Sequence, residues 1–132
     1  MKTLTVLLFG AIAMFLSSCA SNAKFPVSSI TPAAEISAKM KHDKNKNSVI
    51  EVTASNLASA DRLNPPKKNY VVWISTENNG TTNIGQLNNK NAKKSYLKTS
   101  TPFKVKEIFI TAEDQGDMSY PSGIEITRTR FK

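Results

Sequence analysis

The sequence predicts an all-β fold, a single immunoglobulin-like β-sandwich of about seven antiparallel strands. Three observations lead there. After position 34 the apolar residues recur with a period of two rather than 3.6. Clusters of Asn, Asp, Gly, Pro and Lys interrupt these runs at the short spacing of sandwich turns. No segment sustains a helical period, and no heptad or internal repeat appears.

From Glu35 the chain alternates. Ile36, Ala38 and Met40 interleave with Glu35, Ser37, Lys39 and Lys41, which describes a strand with one wet face. His42 to Asn47 is a polar turn, and Ile50, Val52 and Ala54 then alternate with Glu51, Thr53 and Ser55. The pair predicts a hairpin. Asn56 to Lys68 reads as a long loop. Its residues 57–63 have room for one helical turn before Asn64-Pro65-Pro66 ends it, and Leu57 and Leu63 tuck under the core.

Tyr70-Val71-Val72-Trp73-Ile74 is apolar on both faces and rich in β-branched and aromatic residues, so it predicts a central strand buried on both sides. Trp73 and Tyr70 are therefore read as core rather than as the wall of a ligand pocket. Asn79-Gly80 supplies positive φ cheaply and turns the chain back into a strand at 82–87, where Gly85 marks a bulge or a close approach. Asn88 to Lys94 reads as a polar loop and Ser95 to Thr99 as a short strand. A longer strand follows Thr101-Pro102, with Phe103, Val105, Phe109 and Thr111 on one face and Lys104, Lys106, Ile108 and Ile110 on the other. Residues 113–117 turn the chain and Pro121-Ser122-Gly123 ends the loop. The last strand, 124–131, points Ile124 and Ile126 inward, with Arg128 and Arg130 on the same side nearer its end.

The start of the chain has a different logic. Met1-Lys2 is basic, Leu4 to Leu16 is an uncharged and mostly apolar run of 13 residues, and small residues lead into Cys19. This is the layout of a secretory signal, too short to stay as a membrane-spanning helix. Leu16, Ser17, Ser18 and Cys19 resemble the lipobox of bacterial lipoproteins, which implies that Cys19 becomes the first mature residue and carries acyl chains. The expected division is a signal peptide over 1–18, a flexible tether over 19–33 from lipidated Cys19, and the sandwich over 34–132. Lys24 is the sole charge between Ala20 and Pro32, with no acidic run after the cysteine. The expected location is the bacterial cell envelope, on the periplasmic face of the outer membrane.

Removing residues 1–18 leaves 114 of the 132 residues, enough for one domain. Loss of Lys2 leaves 17 basic against 10 acidic side chains, about +7, and acylation of Cys19 leaves no free thiol. The basic excess is lysine, 15 Lys against 3 Arg, spread through the chain. Export and scarce arginine argue against nucleic acid as a partner. Anionic lipid or glycan surfaces of the envelope fit better, beside the plain reading of a solvated face.

One ordered series stands out: Tyr70-Val71-Val72-Trp73-Ile74, Ile84-Gly85-Gln86-Leu87, Phe109-Ile110-Thr111-Ala112-Glu113 and Tyr120-Pro121-Ser122-Gly123. It resembles the C-terminal extracytoplasmic domain of anti-sigma-K-type factors, over about residues 69–127. The resemblance implies a stand-alone outer, sensory domain fixed to a membrane by lipid. Sigma binding is not implied, because the zinc-binding segment and the spanning helix of those factors have no counterpart here.

No catalytic residue, metal site or cofactor is expected. A single histidine, His42, in a Lys/Asn-rich turn supplies neither a zinc site nor a Ser-His-Asp triad. Glu113, Asp114 and Asp117 around Gly116 lack the EF-hand spacing and read as turn chemistry. The candidate surface contacts are Tyr96, Tyr120, Lys93, Lys94, Lys104 and Lys106. The expected partners are the membrane, through the lipid anchor, and a periplasmic protein or an anionic glycan.

Overall fold

In the computed structural model, which describes residues 20–78 and 80–132, the period-two segments become strands of two antiparallel sheets. The first sheet contains β1 (Ala20–Lys24), β2 (Glu35–His42), β3 (Ser48–Ser55), β6 (Asn88–Asn91) and β7 (Lys94–Thr101), in the order β1-β2-β3-β7-β6. The second contains β4 (Asn69–Thr76), β5 (Thr81–Gln86), β8 (Val105–Glu113) and β9 (Ile124–Thr129), in the order β5-β4-β8-β9. Leaving β1 aside, this is the strand order of an immunoglobulin-like sandwich. The fold is all-β, as the alternation predicts.

The core lies between the sheets. Ile36 and Ala38 of β2 and Ile50, Val52 and Ala54 of β3 face Tyr70, Val72 and Ile74 of β4 and Ile108 and Ile110 of β8. Leu57 and Leu63 close one end from the loop after β3, whose only regular turn is a 3-10 turn at Ala60–Arg62. β4 is buried along Tyr70 to Ile74, as its double-sided apolar sequence requires. Gly85 takes φ of +135° where the β4–β5 register shifts, and its bare Cα lies against Leu97 of the opposite sheet.

Four features differ from the sequence reading. Nine strands, not seven, lie among the described residues. The segment expected as a tether carries β1, in register with β2 from Ala20 opposite Lys41 to Lys24 opposite Ser37. Phe25 follows it into the core, and Thr127 and Thr129 donate hydroxyl bonds to the carbonyls of Pro26 and Lys24. The ladder bonds are backbone bonds, so a strand of Ala, Ser, Asn and Lys forms wherever a neighbour offers a free edge. The segment expected as a polar loop after Leu87 contains β6 for the same reason.

Trp73 is core, as its place on a strand apolar on both sides predicts. It is fully buried, yet not between the sheets. Val71, Trp73 and Phe109 form a separate cluster on the outer side of the four-stranded sheet, with Met118 packed on it. Trp73 and Phe109 stack with ring centres 6.3 Å apart. The third difference is the side taken by Arg128. The β8–β9 register shifts between Ile110 and Thr111, so Arg128 lies opposite Phe109 and covers its ring at 3.9 Å instead of following Ile126 inward. The fourth is Phe103, expected in a strand, which precedes β8 and is exposed.

Candidate functional site

The outer face of the five-stranded sheet is wet and basic. On β2, Ile36 and Ala38 are buried, so Ser37, Lys39 and Lys41 face out, and β7 alternates Lys94, Tyr96 and Lys98 outward in the same way. Lys24 of β1 and Lys90 of β6 flank them at the two edges, and the carboxylates on this face are Glu35 and Glu51.

Register arranges these groups in rows across the strands. The central row runs Lys24, Ser37, Thr53, Tyr96, Asn88, a line of hydroxyls and an amide with a lysine at one end and an exposed tyrosine toward the other. Ser37 and Thr53 share a hydrogen bond of 3.1 Å. The row on one side is Asn22, Lys39, Glu51, Lys98, in which Lys98 pairs with Glu51 at 3.4 Å. The row on the other side is Glu35, Ser55, Lys94, Asn91. Five strands at about 4.8 Å spacing make the central row about 19 Å long. The face is hollowed at two places. A trough of about 450 Å³ runs along β1 to β3 past Asn22, Lys24, Ser37, Lys39 and Thr53. A second hollow of about 420 Å³ lies between Asn88, Lys90, Lys94 and Tyr96.

The second polar constellation is internal. Trp73 Nε1 donates to Thr111 Oγ1 at 2.8 Å, and Thr111 Oγ1 donates to Glu113 Oε2 at 2.6 Å. The amide of Ser122 donates to Glu113 Oε2 at 3.3 Å and its hydroxyl to Oε1 at 3.1 Å. Glu113 is the one charged side chain buried among the described residues. Its carboxylate is occupied on both oxygens, so it pins the 114–123 loop over Trp73 rather than offering oxygens to a ligand. Gly123 lets that loop close: a Cβ there would come 1.9 Å from the carbonyl oxygen of Ala112. Asp114 turns outward and pairs with Lys67 at 3.5 Å.

The sequence-predicted contacts fall in three places. Lys93, Lys94 and Tyr96 meet at the β6–β7 edge, beside the second hollow, and Tyr96 is 42% exposed. Lys104 and Lys106 lie at the start of β8, in and just before the other sheet. Tyr120, 67% exposed, stands in the 114–123 loop. Cys19 and the lipobox residues Leu16, Ser17 and Ser18 lie outside the described residues. Sequence reasoning missed Asn22, Lys24, Ser37, Thr53 and Asn88 as parts of one surface. The period-two lysines at 39 and 41 and at 94 and 98 were the available signal, but the β3–β7 pairing that joins them spans more than 40 residues of chain.

No helix among the described residues is long and apolar enough to cross a membrane. No family model, curated protein or solved structure matches the chain.

Proposed function

We propose that this chain is a lipid-anchored, non-enzymatic binding module of the bacterial cell envelope, and that the outer face of its five-stranded sheet takes an anionic glycan. The central row carries the reading. Hydroxyl and amide groups in line suit sugar hydroxyls, the exposed ring of Tyr96 offers an apolar platform, and lysines on both flanks suit carboxylates. A row of about 19 Å accommodates several sugar units side by side. The groups sit on strands, so they are held in place before a ligand arrives. The lipobox-like Leu16 to Cys19 supports the anchor, and a Cys19→Ala chain is expected to stay an unacylated precursor. Partitioning of that variant into detergent like the wild type would reject the anchor.

Calorimetric titration with polygalacturonate oligomers, with dextran as the uncharged counterpart, tests the binding face. The expected result is binding of the acidic oligomer alone, weakened about tenfold by Tyr96→Ala, and by Lys94→Glu with Lys98→Glu, and weakened again by salt. Equal affinity for dextran, or no change in the variants, rejects it.

A second reading keeps the implication of the anti-sigma-K-type resemblance, a sensory module acting beside a membrane-spanning regulator. What favours it is that three of the four segments carrying the resemblance meet in one hydrogen-bonded unit, through Trp73, Thr111, Glu113 and Ser122. In-cell cross-linking from Tyr120, at the tip of that unit, checks it: a discrete membrane protein retained at high salt supports it, and no cross-linked protein rejects it.

A further inference from the structure

Ala20, the residue that follows Cys19 in the chain, belongs to β1. Ala20 pairs with Lys41 at one end of the sandwich. At that end β2 finishes at His42, β3 begins at Ser48 opposite Thr101 of β7, and β4 finishes at Thr76 opposite Val105 of β8. The turns between these strands therefore share the end with Ala20. Lys44, Lys46 and Lys104 lie in these turns and Lys41 and Lys106 in the strands beside them, at the same end as Phe103, which is 49% exposed. Ser48 Oγ donates to the Phe103 carbonyl at 3.5 Å, tying the β7–β8 connection to the β2–β3 turn.

The acidic groups of this end are Asp43, Glu77 and Glu107. Asp43 accepts the amides of Asn45 and Asn47 at 2.8 and 2.9 Å, so its carboxylate is spent on holding the turn that displays Lys44 and Lys46. Glu107 is paired with Arg128 at 3.6 Å and lies 3.9 Å from Arg130. Among the described residues neither Asp43 nor Glu77 has an ion-pair partner, and Glu77 has no turn amides to hold it. The opposite end is closer to balance: Arg62, Lys67, Lys68 and Lys93 stand against Asp61, Asp114 and Asp117 in its loops.

We infer that the Cys19 end of the sandwich is a membrane-apposed surface, with its lysines on the phosphates of anionic lipid headgroups and Phe103 at the interface. The inference rests on the lipid-anchor reading. Adjacent Cα atoms are about 3.8 Å apart, so acyl chains on Cys19 would hold this end within a Debye length of the headgroups, about 8 Å at physiological salt. The strands then stand away from the bilayer and leave the basic sheet face open beside it.

The test uses the full chain, processed in cells and reconstituted in phosphatidylcholine vesicles with or without phosphatidylglycerol. Acylated Cys19 leaves no free thiol, so Phe103→Cys and Tyr120→Cys each take one fluorophore, and doxyl-labelled lipid reports contact with the bilayer. The expected result is quenching at 103 and not at 120, dependent on phosphatidylglycerol. Lys44→Glu with Lys46→Glu should lower the docked-to-undocked ratio about tenfold. Radiolabelled palmitate incorporation reads the anchor separately. Label without quenching at 103, or with equal quenching at 120, overturns the docking surface and keeps the anchor. Quenching at 103 that responds to the lysine variants without label keeps the surface and overturns the anchor. Neither signal overturns both.

Discussion

The two sheets solve the same problem with opposite allocations of polar groups. The four-stranded sheet is covered on both sides. One side meets the main core, and the other carries Val71, Trp73 and Phe109 under the 114–123 loop, with Glu113 and Arg128 as the polar fastenings. The five-stranded sheet buries one side only, and its other side carries hydroxyls, amides and lysines that face water. A buried polar group without its partner costs stability, so the first sheet has little freedom to change sequence without unfolding. The exposed face of the second carries no such constraint, because its polar groups keep their contact with water.

Substitutions on the two faces sharpen this contrast. Trp73→Ala removes the centre of the outer cluster and the donor to Thr111, and is expected to lower stability by about 3–5 kcal/mol in urea unfolding. Tyr96→Ala, an aromatic truncation on the exposed face, is expected to stay within about 0.5 kcal/mol. Equal effects would erase the distinction between the faces. Glu113→Ala leaves the hydroxyl protons of Thr111 and Ser122 without their acceptor, and an expected loss of about 1–3 kcal/mol is read in the same assay. Proteolysis should then cut first within the 114–123 loop. Protection of that loop equal to wild type would show that Met118 packing and the Asn83 bonds to the Gly116 and Met118 carbonyls hold it without Glu113.

A smaller effect concerns the end that both sheets share. Tyr70 donates its hydroxyl to the Ala58 carbonyl at 2.6 Å. Burial, and then the charge of Asp61, push its pKa from 10.0 up to about 12. The folded state therefore holds the proton after the unfolded chain has released it. The resulting stability is fully present below pH 10 and is lost as pH rises from 10 through about 12. Tyr70→Phe is expected to cost about 1 kcal/mol at neutral pH through the lost hydrogen bond, and to flatten that part of the pH profile. Wild-type and variant unfolding midpoints that fall in parallel above pH 10 would reject the assignment.

Much of the architecture was legible because it depends on local alternation. The β2–β3 hairpin, the double-sided burial of Tyr70 to Ile74, the antiparallel return of β5 onto β4 and the bulge at Gly85 all follow from side-chain period and backbone freedom within a few residues; Asn79 itself lies outside the described residues. The cap formed by Leu57 and Leu63 was legible for the same reason, as apolar residues in a loop with nowhere else to go. What the sequence by itself determined is therefore the all-β class, the central strand and the basic balance of the chain. The tertiary structure decided where those charges meet. β1 and β6 form because neighbouring strands offer unpaired backbone, which leaves no mark in side-chain pattern. The bulge in β9 reverses Arg128, and the 114–123 loop turns the outer side of Trp73 into a second core. The candidate binding row exists only because β3 pairs with β7, bringing Ser37 and Thr53 beside Tyr96 across a long stretch of chain. Pairing of that kind is settled by which strands can bury their apolar sides together, a property of the whole sandwich and not of any segment within it.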